Sequence, residues 1–165
     1  MADKTLTERL QPSLLDRLTD DQAWDAAEGR DGRVIDTRRL REIIRRDLSW
    51  LLNTTNTESE HDLEVLDEVR TSTINYGVPD LAGKIESMSR ALEVRQSIRR
   101  AIEAFEPRIV PGSLEISIIE ETEQERSVVS FDIRGELWAQ PLPIELYLRT
   151  AMDVTTGEVK VERQG

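Results

Sequence analysis

Residues 89–118 read SRALEVRQSIRRAIEAFEPRIVPGSLEISI, and the period of the apolar positions changes inside this stretch. From Ser89 to Phe105, Ala91, Val94, Ile98, Ala101, Ile102 and Phe105 recur every three or four positions, the spacing of one face of an α-helix. Pro107 ends that helix, because a proline pushes the preceding residue out of the helical region. After Pro111-Gly112, Leu114, Ile116 and Ile118 alternate with Glu115 and Ser117, the period of a half-buried strand. The chain therefore changes from helix to sheet near residue 109.

Toward the N-terminus the helical period continues. Leu40, Ile43, Ile44, Leu48, Leu51 and Leu52 form one stripe within Asp36–Leu52, with Arg38, Arg41 and Arg45 off it, and Asp36 or Thr37 is placed to cap the start. Weaker helical patterns cover Pro12–Leu18 and Asp62–Val69, the latter with Leu63, Leu66 and Val69 on one side. Asn75–Asp80 is rich in turn formers, and Asp80 is positioned to cap one or two helical turns over Leu81–Met88. Toward the C-terminus, Val129, Phe131 and Ile133 form a second strand, with Gly135 read as a bulge before Leu137. Ile144, Leu146, Leu148, Met152 and Val154 form a third, and Thr155-Thr156-Gly157 turns into a fourth over Glu158–Glu162. Connections this short force neighbouring strands to be antiparallel. The expectation is an α+β fold, with N-terminal helices on one face of a mainly antiparallel sheet of about four strands. Residues 1–35 are read as an extension with a short helix, and 36–165 as the domain.

Bulk composition narrows the function. The 165 residues carry 22 basic and 33 acidic side chains, a net charge of −11, so the overall field repels nucleic acid and anionic lipid. Neither a membrane span nor the apolar core of a secretory signal is legible, and with zero cysteines there are no disulfides or thiolate metal sites. A protein without direct membrane insertion is expected. Charge is uneven along the chain: residues 53–70 sum to −5 and residues 36–52 to +2.

Candidate chemistry is sparse. The single histidine, His61, lies in the most acidic stretch beside Asp62 and reads as a solvated surface residue. Acid pairs such as Glu58 with Glu60, or Glu120 with Glu121, are expected by chance among so many carboxylates, and Glu120–Glu125 reads as a hairpin tip. No GxxxxGK or GxGxxG pattern occurs, and no cofactor is expected. The helical arginines have Glu42, Asp47, Glu93 and Glu103 at helical spacing and read mainly as solvated, paired faces.

One tripeptide stands out. In Phe105-Glu106-Pro107-Arg108-Ile109, two opposite charges flank a residue of fixed φ at the helix exit, so their side chains leave the backbone in restricted directions. They are placed either to clamp a partner or to form a local ion pair that fixes the exit. Arg108→Ala is expected to leave the fold nearly intact, since a partly exposed ion pair is worth about 0 to 1 kcal/mol.

Together with its surroundings, this motif resembles that of the TssE and phage baseplate wedge family. Ser72-Thr73-Ile74-Asn75-Tyr76-Gly77-Val78-Pro79-Asp80-Leu81 is similar to the family's tyrosine-glycine turn, and Leu48-Ser49-Trp50-Leu51-Leu52-Asn53-Thr54 to the end of its first core helix. Pro12-Ser13-Leu14-Leu15-Asp16-Arg17-Leu18 resembles the opening segment of the secretion-system branch. The resemblance implies a non-enzymatic, cytoplasmic baseplate part of a contractile injection machine. It would contact the wedge proteins TssF, TssG and TssK and initiate polymerisation of the sheath proteins TssB and TssC. By the same resemblance Glu106, Pro107 and Arg108 become wedge-contact candidates. Val159, Lys160, Val161 and Glu162, on the last strand, become candidates for pairing with the sheath, with an ordinary internal hairpin as the alternative. Two other readings stand beside it, a lysozyme-like glycan hydrolase and a free-standing acidic adaptor. Isolated protein is expected to be monomeric, its natural interfaces belonging to other chains.

Overall fold

The computed structural model describes residues 13–19, 37–80, 82, 88–119, 128–139 and 143–163. Four α-helices are described, α1 (Leu14–Leu18), α2 (Thr37–Leu52), α3 (Asp67–Arg70) and α4 (Met88–Phe105). They are followed by β1 (Glu115–Ile119), β2 (Val128–Leu137), β3 (Ile144–Asp153) and β4 (Val159–Arg163). The strands form one antiparallel sheet in the order β1-β2-β3-β4, which is the α+β arrangement expected from the sequence. Helix α2 packs on β3, β4 and α4, and α4 packs on β1.

The apolar stripes become the core. All six stripe residues of α2 are buried, as are Val94, Ile98 and Ile102 of α4. All of these except Ile43 share one core with Ile116, Phe131, Ile133, Leu146, Leu148, Met152, Val159 and Val161 from the sheet. The other face is polar: Glu115, Ser117, Arg134, Glu145, Lys160 and Glu162 are exposed, the alternation expected of a sheet covered on one side. Asp132 is buried on that polar face, where it accepts from Tyr147 Oη at 2.8 Å and Arg149 Nε at 3.0 Å.

Several local readings need correction. Asp62–Val69 is not a helix; only Asp67–Arg70 is helical, with Leu63 buried, Leu66 exposed and Val69 half-buried. Asp62 Oδ1 accepts the Glu64 N–H at 2.9 Å, a side-chain turn that competes with helix formation. Gly135 is not a bulge, since it pairs in register with Leu146. A Cβ there would lie 3.4 Å from Ile109 Cγ2 and 3.6 Å from Ser113 Oγ, ordinary contact distances, so the 109–114 connection crosses the strand at this point without demanding a glycine. Thr37 begins α2, whereas Asp36, the segment 83–87 and the acidic tip at 120–125 lie outside the described residues. Asp80 Oδ1 accepts the Ala82 N–H at 3.1 Å, a local side-chain turn, while most of the segment it was expected to cap lies outside the described residues.

The tyrosine-glycine turn is docked on the end of α2. Val78 N–H donates to Thr54 O at 2.8 Å, and Asn56 N–H donates to Val78 O at 3.0 Å. Gly77, at φ +126°, makes that approach possible, because a Cβ there would sit 2.2 Å from Thr54 O. Gly77→Ala should therefore cost about 2 kcal/mol or more, read as a lowered denaturant midpoint; an unchanged midpoint would refute the docking argument. Ile102 is fully buried, and Ile102→Asp should cost several kcal/mol by placing an unpaired charge in the core. Soluble, cooperatively folded Ile102→Asp protein would contradict this packing.

Candidate partner-binding site

Helix α4 closes with Glu106 N–H donating to Ile102 O at 2.9 Å, after which Pro107 cannot extend the ladder. The chain next joins the sheet. Arg108 O accepts the Trp138 N–H at 2.8 Å, Val110 N–H donates to Glu136 O at 2.8 Å, and Ile109 bridges Leu137. The tripeptide is thus pinned to the helix on one side and to the end of β2 on the other.

Its two charges turn toward each other. Glu106 is only 4 % exposed, and its Oε1 accepts Arg108 Nε at 2.6 Å and the Arg108 backbone N–H at 3.1 Å. Arg108 Nη2 donates to the other oxygen of Glu106 and, at 2.6 Å, to Asp47 Oδ2 on α2, 61 positions away. Asp47 Oδ1 in turn accepts Arg46 Nε at 2.9 Å and Nη2 at 2.7 Å. Arg46 Nη2 reaches Asp16 Oδ1 of α1 at 2.9 Å, an ion contact in which Oδ1 receives no aligned hydrogen bond. The guanidinium of Arg46 also lies 4.9 Å over the Trp50 ring. Five charges therefore alternate in sign along a line, Asp16, Arg46, Asp47, Arg108, Glu106.

Electrostatics follow from that alternation. Burial alone would lower the pKa of Arg108, but the bonds and charge of Glu106, then of Asp47, outweigh it and raise the value. Burial likewise opposes charge on Asp16, yet its hydrogen bond to Ser13 and the ion contact with Arg46 leave its pKa lowered. Tyr76 is raised, first by burial and then by the negative charges of Asp47 and Glu106.

Beside the network lies an open cleft of about 540 Å³, lined by Leu15, Ile43, Trp50, Tyr76, Phe105 and Pro107 among others. Tyr76 packs edge-on against Phe105 with ring centroids 5.4 Å apart. Trp50 is 51 % exposed and Trp138 is 65 % exposed, so two large aromatic side chains face solvent near the tripeptide.

The residues expected from the sequence occupy distinct places. Glu106 is enclosed, Pro107 is exposed and the Arg108 side chain is 28 % exposed, so outward contact falls to Pro107 and the outer part of Arg108. On β4, an edge strand, Val159 and Val161 point into the core and Lys160 and Glu162 point out. Sequence reasoning missed Asp47, Arg46, Trp50 and Tyr76 as neighbours of the motif. Asp47 was read as a helix-surface partner, although its position between Ile44 and Leu48 places it at the margin of the buried stripe. Other arginines do pair along their helices, as in Arg38 with Glu42 at 3.4 Å and Arg99 with Glu103 at 3.7 Å.

Compared with known proteins, residues 38–142 match the family model described as baseplate wedge protein gp25. Neither a curated protein nor a solved structure matches the chain.

The expected cost of removing Arg108 must be revised upward. Its loss strands a buried carboxylate, so Arg108→Ala should destabilise by about 2 to 3 kcal/mol rather than 0 to 1. A double-mutant cycle with Asp47→Asn, followed by urea denaturation, should show non-additivity above about 0.5 kcal/mol; additive losses would mean the two side chains are not coupled.

Proposed function

The chain belongs to the baseplate wedge protein gp25 family, a family of structural baseplate proteins, and from that premise we propose that it joins wedge to sheath in the baseplate of a type VI secretion system. In this reading it is the TssE component. It binds TssF, TssG and TssK on one side and seeds the TssB and TssC sheath on the other, in the cytoplasm and without catalysing a reaction. The secretion-system assignment is supported by the likeness of Pro12–Leu18 to the opening segment of that branch.

The observation that carries the wedge contact is the cleft. Stable interfaces centre on aromatic and arginine anchors set in apolar pockets, and here Trp50, Pro107 and the outer part of Arg108 border one apolar recess. The ion network holds the recess in shape by fixing α1, α2 and the exit of α4 together. Glu106 acts from behind, holding Arg108 in one orientation. The sheath contact is assigned to the β4 edge, Val159–Glu162, where main-chain hydrogen bonding can recruit an extended segment.

Tagged protein purified from cells expressing the wedge and sheath components should carry the wedge proteins with it. Trp50→Ala should keep the fold, because an exposed cation–π contact is worth only about 0.5 to 1 kcal/mol, yet lose most of the wedge proteins. Undiminished wedge capture by the folded variant would displace the contact from the cleft. Absence of wedge proteins from the native sample, together with glycan digestion by the purified chain, would replace the baseplate reading with the hydrolase one.

A further inference from the structure

The β4 edge is not open along its whole length. Asp153 N–H donates to Glu158 O at 3.0 Å across the hairpin, and the alternation of an antiparallel ladder then turns the main-chain groups of Val159, Val161 and Arg163 away from β3. At Val159 both outward groups are taken by one side chain. Val159 N–H donates to Asn53 Oδ1 at 2.9 Å, and Asn53 Nδ2 donates to Val159 O at 2.8 Å. A residue of a neighbouring antiparallel strand would make the same pair of bonds. Asn53 Nδ2 also donates to Ser49 O of α2 at 2.7 Å, so the carboxamide is fully engaged and fixed to the helix end. No side chain among the described residues bonds the outward groups of Val161.

We propose that Asn53 is a register stop on β4: a strand added from another polypeptide pairs with Val161 and onward toward Arg163, and cannot pair at Val159. The inference rests on the reading that β4 accepts a strand, and it deepens that reading by naming what sets the alignment. Its force comes from the period of a strand. A slip of one residue would turn the added strand's apolar side chains to the solvated face, so the nearest competing alignments are slips of two, and the one toward the hairpin falls on Val159. Asn53 occupies the position that this competing alignment would need. The segment that fits carries an apolar residue opposite Val161, whose side chain faces the helix layer, and polar residues on the side of Lys160 and Glu162.

Amide hydrogen exchange on the full chain, alone and with the co-expressed sheath subunits, tests this. Alone, the native Val159 amide should be protected and Asn53→Ala should speed its exchange by roughly tenfold, leaving Val161 unchanged. With sheath subunits, the native protein should gain protection at Val161 and none at Val159, whereas Asn53→Ala should gain it at both. Asn53→Ser, whose short side chain cannot make both Val159 bonds, provides a second variant should the alanine form not fold. Protection at Val161 in native protein with no sheath-dependent gain at Val159 in either variant overturns the stop while leaving strand addition intact. Sheath binding with no protection at either amide overturns both.

Discussion

Glu106 is a carboxylate with 4 % exposure at the point where helix gives way to sheet, and the tertiary arrangement around it follows from the need to neutralise that charge. An unpaired buried carboxylate is costly enough that it would take up a proton or disrupt its surroundings. Arg108 answers from two residues away because Pro107 fixes the direction in which the chain leaves the helix. Having compensated Glu106, the guanidinium still has a donor to place, and Asp47 takes it. The exit of α4 is thereby tied to the middle of α2, and through Arg46 to α1.

This clamp and the backbone bonds around it act on the same joint. Arg108 O and Val110 N–H extend the hydrogen bonding of β2 past the end of β1, so the tripeptide is held by the sheet through its main chain and by the helices through its side chains. In the proposed reading, an apolar cleft walled by side chains tied into a charge network suits recognition, because walls already held in place cost little to order. The net charge of −11 does not conflict with such contacts, because the motif's charges are satisfied internally and the exposed anchors are aromatic.

The two ends of the sheet show a related economy of side chains. On the β1 side Arg99 Nη1 donates to Leu114 O at 2.7 Å, and on the β4 side Asn53 closes Val159. A side chain of α4 and the residue that follows α2 thus each bond main-chain groups at an end of the sheet. Short edges interrupted in this way resist indiscriminate pairing while leaving a few groups free for a chosen partner.

The α+β class, the two long helices, the four strands and their antiparallel order were legible in the sequence, because a period of 3.6 or 2 reports directly which face of a segment is covered. So was the importance of the exit at Glu106–Arg108, since a proline between opposite charges restricts geometry locally. What only the tertiary structure decided is which distant groups meet. Asp47 lies 61 positions from Arg108, and Asn53 lies 106 from Val159. The local pattern places Asp47 at the margin of the buried stripe and Asn53 at a helix end, but it names the partner of neither. The same limit explains Gly135, read as a bulge but paired in register with Leu146, and Leu66, placed on a helical stripe where the chain instead turns at Asp62. Periodicity fixes the face a residue presents; its partner is fixed only when separate elements are packed and each buried polar group must find a complement within about 3 Å.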